Sequence, residues 1–202
     1  MEEKDTELQI KEAARTVFMK RGYAGARMQE IADLAGINKA LLHYYYRSKE
    51  RLYDVIFMEV FQELMEGLES AFVEEDSIKV KMEAFIDLYI STLMKNPHMP
   101  LFVVSEISRD PDTFIEKLKT KEIFEGANKI VLSFISDLNN EYGEQLNAIH
   151  LFMNIISMCV FPFISKPMLG AITQIDDATW KILMETRKEE VKRFVAKALE
   201  KR

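Results

Sequence analysis

Apolar positions recur at spacings of three and four along nearly the whole chain, and no segment alternates with period two for long enough to need a strand. The first such run puts Ile10, Ala13, Ala14, Val17 and Phe18 on one face. It predicts a helix that starts near Asp5 or Thr6, either of which can cap it, and ends at Lys20, Arg21 and Gly22. Two short helices follow, Met28 to Ala35 and Asn38 to Tyr46, with only Gly36 and Ile37 between them. The next apolar stripe runs from Glu50 to about Val73, through Leu52, Val55, Ile56, Phe61, Leu64 and Leu68, and a further one fills Asp76 to Lys95 before Asn96-Pro97. Leu101 to Ser108 reads as a short, nearly all-apolar helix between Pro100 and Pro111. Asp110-Pro111-Asp112 is a turn and cap signal that opens a helix to about Leu138, and Asn139 to Gly143 breaks the pattern. Gly143 to about Ser165 is strongly hydrophobic, with Pro162 expected to kink or fray its last turn. Lys166 to Ile175 reads as a loop, after which Asp176 and Asp177 cap a final helix striped by Trp180, Leu183, Met184, Val191, Phe194, Val195 and Leu199. The pattern therefore predicts an all-α protein of about nine helices, a small head joined to a larger body.

The two-residue connection at Gly36-Ile37 is too short for anything but a tight turn between crossing helices. Glycine can leave a helix with positive φ at no steric cost, and Asn38 can cap the helix that follows. Ile31, Ala32, Ala35, Ile37, Leu42 and either Tyr45 or Tyr46 supply the inward contacts, with Ala32 small enough for the second helix to pass. This is the sequence form of a helix-turn-helix, its reader helices spanning about 28–47. Lys39, His43, Tyr44, Tyr45, Arg47, Lys49 and Arg51 place donors and flat rings on and just after the second helix.

Charge sharpens that picture. The chain of 202 residues carries a formal −6, which by itself argues against a nucleic-acid binder. Its distribution reverses the inference: Lys11 to Arg51 holds nine Lys or Arg against four acids, a local +5, while residues 1–10 carry −3 and residues 52–202 carry −8. An acidic body with one basic head confines phosphate contact to that head. Hydrophobic residues make up 48%, with only seven Gly and five Pro, as a packed helical protein requires.

The single Cys159 cannot form an internal disulfide and reads as a buried thiol in a reducing cytoplasm. No basic segment followed by an apolar one opens the chain, so no secretory signal is expected. The apolar run Ile149 to Ile164 is interrupted by His150, Asn154, Ser157 and Pro162 and falls short of the roughly 20 residues of a membrane span. A cytoplasmic protein without membrane contact is expected. His43, His98 and His150 lie far apart, and there is no Gly-rich phosphate loop, Cys-x-x-Cys or Gly-x-Ser-x-Gly. Neither a metal, a cofactor nor an enzymatic activity is expected.

The order Gly22-Tyr23, Ile31-Ala32, Ala35-Gly36, Lys39, Leu42, Tyr44 and Ser48-Lys49-Glu50 leading into Leu52 resembles the TetR family of bacterial transcriptional regulators over about residues 5–64. Beyond the head only helix count and size agree. The resemblance implies an all-helical homodimer, a three-helix head over residues 5–64 that reads palindromic double-stranded DNA, and a six-helix helical-bundle body over 65–202 that often binds a small ligand and pairs the protomers. It implies Lys39, Ala40, Tyr44 and Tyr45 as groove or base-edge contacts and Arg27, His43 and Lys49 as phosphate contacts, with Asn38 heading the reader helix. The chain departs from the family pattern at Ala26 and Arg27, where hydroxyl residues are common, at His43, often Tyr, and at Leu41, usually polar. Those departures leave the base preference open, and Arg27 should add salt-dependent affinity.

Gly143 to Ser165 is apolar over more of its circumference than one packed face requires, so the last two helices are expected to form the dimer surface. Phe61, Phe85, Tyr89, Phe102, Phe134 and Phe152 are candidates for lining a ligand cavity, with Glu106 and His150 as its polar contacts and a small apolar or aromatic molecule as its occupant. The expected function is a ligand-responsive repressor. Two readings stay beside it: a chromosome-organising DNA-binding protein of the same fold, and a regulator controlled by a protein partner.

Overall fold

Every regular element among the described residues is helical, as the apolar spacing predicts. The computed structural model describes residues 2–72, 77–119, 122–143 and 146–200. The helices are α1 (Glu2–Gly25), α2 (Met28–Leu34), α3 (Lys39–Tyr45), α4 (Lys49–Glu69), α5 (Ile78–Lys95), α6 (Met99–Arg109), α7 (Pro111–Lys119), α8 (Glu122–Tyr142), α9 (Ala148–Thr173) and α10 (Asp177–Leu199), with a 3-10 turn at Ser70–Phe72. The expected helix ends at Val73 and Asp76 lie outside the described residues.

Two compact units emerge. The first takes in Met1–Glu63 together with Leu101–Pro111, so most of α6 belongs with the N-terminal helices. Its core is built on Ile10, Ala14 and Phe18 of α1, Ile31 and Ala32 of α2, Leu42 of α3, and Leu52 and Tyr53 of α4, all fully buried. Tyr53 is the hub: its ring meets Phe18 at 5.0 Å and Phe102 of α6 at 5.2 Å, both edge-on. Aromatic pairs prefer such edge-to-face geometry. Burial, with the Glu106 carboxylate next in effect, pushes the Tyr53 hydroxyl far above its ordinary range.

The second unit comprises Leu64–Pro100 and Asp112–Arg202. Phe134 of α8 and Phe85 of α5 both pack on Phe152 of α9, at 5.1 and 6.1 Å. Lys81, 9% exposed, reaches Asp137 of α8 at 2.8 Å, and Lys192 of α10 reaches Asp87 of α5 at 2.6 Å. Helix α5 is capped by Ser77, whose side chain accepts from the Val80 N–H.

The helix expected from Pro111 to about Leu138 is described as α7 and α8 on either side of residues 120 and 121, which lie outside the described residues. The expectations for the long apolar helix near the end of the chain are corrected here. Helix α9 does not end at Ser165 but runs to Thr173, with Pro162 and Pro167 inside it, and residues 166–173 are therefore helix rather than loop. Pro162 has no N–H to give to the Met158 carbonyl one turn back. That carbonyl instead accepts from Nε and a terminal nitrogen of Arg187 on α10, both at 3.3 Å, and the helix continues. In consequence α9, with 26 residues and a window of mean hydropathy 1.8, is long and apolar enough to cross a membrane by length and composition. Its Leu151, Ile155, Cys159 and Phe163 are nonetheless buried within the second unit. Burial pushes the Cys159 thiol up to about 12.

Candidate nucleic-acid interface

Helix α2 ends in a Schellman turn. Gly36 has φ 69°, the Gly36 N–H donates to Asp33 O at 3.2 Å, and the Ile37 N–H donates to Ala32 O at 3.0 Å. One residue later the Asn38 carboxamide accepts from the Leu41 N–H at 2.8 Å and caps α3. Both ends of the turn are thus closed by bonds that two residue types, glycine and asparagine, make possible. Helix α3 is anchored by Leu42, fully buried, and by Tyr46 just past its end, 8% exposed. Of the two tyrosines considered for an inward role, Tyr46 takes it, and its hydroxyl donates to Glu7 of α1 at 3.1 Å. Burial first, and Glu7 second, raise that phenol well beyond its ordinary range.

What remains of α3 faces outward. Lys39, Ala40, Leu41 and His43 are exposed, Tyr44 is 74% exposed, and half-buried Tyr45 meets the Tyr44 ring edge-on at 5.7 Å. Small Ala40 lets the backbone approach a groove, and Tyr44 offers a flat ring with a polar tip. Arg27 is the N-cap residue of α2, extended at φ −121° and with no side-chain cap bond, which fits the missing hydroxyl residue at that position.

The cations divide into two groups. Three cations of α1 are occupied by acids: Lys11 with Glu59 at 2.7 Å, Arg15 with both oxygens of Glu63 at 2.8 and 2.6 Å, and Arg21 with Glu30 at 2.8 Å, while Lys20 is exposed and has no such partner among the described residues. By contrast the exposed side chains of Arg27, Lys39, Arg47 and Arg51 have no ion pair or hydrogen bond among the described residues. Unpaired guanidinium and ammonium groups around an exposed helix are what phosphate oxygens require. Lys49, half-buried at the start of α4, stands 4.6 Å from the Tyr23 ring centre, and Arg109 of α6 stands 4.7 Å from the same ring. Arg47 and Arg51, read from the sequence as donors on and just after the second helix, join Arg27 and Lys39 as exposed cations of the reader.

The ligand candidates do not gather in one place. Phe61, Phe102 and Glu106 belong to the first unit, where Phe57 bridges Phe61 at 5.9 Å and Phe102 at 5.4 Å. Glu106, 2% exposed, accepts a bidentate pair from Arg109 at 2.9 and 2.8 Å. Phe85, Tyr89, Phe134 and Phe152 pack on one another in the second unit, and His150 is exposed on α9. A cavity of about 500 Å3 in that unit is lined by other residues altogether, from α5, α9 and α10.

These features define a helix-turn-helix head on an all-helical protein. Residues 10–56 match the model of the bacterial regulatory proteins of the tetR family. The transcriptional activator FasR of Mycolicibacterium smegmatis is 35% identical over 79 residues, 37% of this chain and 36% of that protein. The chain thus matches little more than a third of that relative's length. The transcriptional repressor NicS of Pseudomonas putida is 23% identical over 174 residues, 83% of this chain and 80% of that protein. Among solved structures, FadR of Bacillus subtilis in complex with stearoyl-CoA superimposes with a TM-score of 0.65 at 20% identity, covering 92% of this chain and 97% of that one. At that identity the likeness is one of fold.

Proposed function

We propose that the chain is a transcriptional regulator that reads double-stranded DNA as a homodimer and changes its DNA affinity when a small molecule occupies the second unit. The observation that carries the reading is the contrast of the paired Lys11, Arg15 and Arg21 of α1 with the unpaired Arg27, Lys39, Arg47 and Arg51 around α3, a helix whose start is fixed by Gly36 and Asn38. Lys39, Ala40, Tyr44 and Tyr45 would enter the major groove, with Arg27, His43, Lys49, Arg47 and Arg51 on phosphates. A single head buries too little surface for operator selectivity, so two heads on a palindrome are required. The exposed apolar residues Met153, Phe161 and Ile172 of α9 and Ile182, Leu183 and Phe194 of α10 supply a surface for pairing. Such a protein works where the chromosome is, in the bacterial cytoplasm. The matched regulators include an activator and a repressor, and repression is the reading favoured here because ligand-weakened binding needs only one surface to be disturbed.

The test is binding of duplex oligonucleotides selected from a random pool, at several salt concentrations. Tyr44→Ala should bring operator affinity down toward that for random DNA. Lys49→Ala should weaken binding to every sequence and flatten the salt dependence by about one charge. Wild-type protein that holds no duplex even at low salt would remove the reading.

A further inference from the structure

The cavity between the end of α5, the second half of α9 and the start of α10 is floored by Met94, Phe163, Trp180 and Met184, of which the last three are buried. Its volume of about 500 Å3 falls within the roughly 300–1,000 Å3 of small-molecule sites. Methionines on two sides make such a floor adaptable to shape. The polar side of the cavity is the informative one. Two acids line it, and each already has a cation: Asp177 holds Lys166 at 2.7 Å and Glu185 holds Lys188 at 2.6 Å. Two further lysines that line it, Lys95 and Lys181, are exposed and have no ion pair or hydrogen bond among the described residues. The cavity is therefore apolar at its base and carries uncompensated positive charge at its edge.

We infer that this cavity is a binding site for an amphipathic anion, with an apolar body against Trp180, Met184 and Phe163 and a carboxylate or phosphate head between Lys95 and Lys181. A neutral apolar molecule leaves the two ammonium groups uncompensated, and a cation is repelled by them, so the sign of the head decides. Pairing through Leu183 and Phe194 of α10 leaves the site open. At about 3.6 residues per turn, the exposed Leu183 and Phe194 leave the helix on the side opposite Lys181 and Glu185, which face the cavity. The inference rests on the reading of the chain as a ligand-responsive regulator and names the site and the chemistry of the ligand.

Trp180 is the sole tryptophan of the chain, so its emission reports on this cavity alone. Full-length protein is titrated with decanoate, decan-1-ol and decylammonium, each below its self-association concentration. Decanoate should change Trp180 emission saturably, and decanol should need about tenfold more for the same change, since a charge-assisted contact is lost. Decylammonium should bind more weakly than either. The Lys95→Ala/Lys181→Ala protein should lose about tenfold in decanoate affinity and none in decanol affinity. Absence of a saturable response to decanoate, equal affinity for the three heads, or an unchanged affinity in the double variant would overturn the inference. Duplex retention measured on the same samples separates the two proposals: decanoate binding without DNA binding sinks the regulator and leaves the site, and the reverse result sinks the site alone.

Discussion

Helix α3 has seven residues and buries only Leu42, whereas α9 has 26 and buries seven, including Pro162. The short helix cannot be held by its own packing. Helix nucleation is costly, and an isolated segment of that length is not helical in water. It is held from its ends, by the Schellman turn at Gly36, the Asn38 cap and the Tyr46 hydroxyl on Glu7. The long helix has burial in excess and tolerates two prolines, provided a neighbour covers the carbonyl that Pro162 leaves open. Freeing one face of α3 from packing duties is what allows it to present Lys39, His43 and Tyr44 to a partner.

If α3 hangs on one core residue, removing that residue should cost more than any other single change in the reader. Leu42→Ala empties a fully buried site and should lower stability by about 2–5 kcal/mol, read as the shift of the urea midpoint. Duplex retention should fall with it even at temperatures where the variant is folded, because the reader face loses its fixed orientation. A loss under about 1 kcal/mol would mean that the caps and the turn alone position the helix.

The dependence of α9 on its neighbour is tested by Arg187→Ala. Leaving the Met158 carbonyl without a donor should cost about 1–3 kcal/mol. Pro162→Ala restores an N–H one turn below that carbonyl, so in its background the arginine change should cost markedly less. Additive effects in this double-mutant cycle would show that the Arg187 bond and the proline are unrelated.

The same two helices explain what the sequence disclosed. Everything that fixes α3 is local chemistry: a glycine at positive φ, an asparagine three residues before the N–H it caps, and a leucine at the inward position. Each is a residue type at a spacing, and each could be read in advance. What permits α9 to pass Pro162 is an arginine 25 positions further on, which no local pattern reveals, and the helix was therefore ended too early at Ser165. The association of α6 with the N-terminal helices, through Phe102 on Tyr53 and Phe57, depends on tertiary placement in the same way. So does the α5, α9 and α10 cavity: the aromatic stripes singled out for it, Phe85, Phe134 and Phe152, pack on one another, as apolar residues at helical spacing generally do. The charge excess between Lys11 and Arg51 was legible as a total, but only the geometry separates cations already satisfied by Glu59, Glu63 and Glu30 from those left over.

The smallest effect expected comes from the cap. Asn38→Ala removes the acceptor for the Leu41 N–H, leaving an orphan donor at the exposed start of α3 where water can partly replace it, so the stability cost should be about 1 kcal/mol. Asn38→Asp keeps the acceptor and adds a negative charge favourable to the helix dipole, and it should match or exceed wild-type stability. On DNA the order should differ. The aspartate sits beside Lys39 at the end that meets phosphate, so it should weaken duplex binding most at low salt, where repulsion is least screened. Alanine should weaken binding only by the amount that loosening the helix end requires. Equal loss of binding for both variants at every salt concentration would show that Asn38 itself makes an essential contact to DNA and does more than hold the first turn of α3.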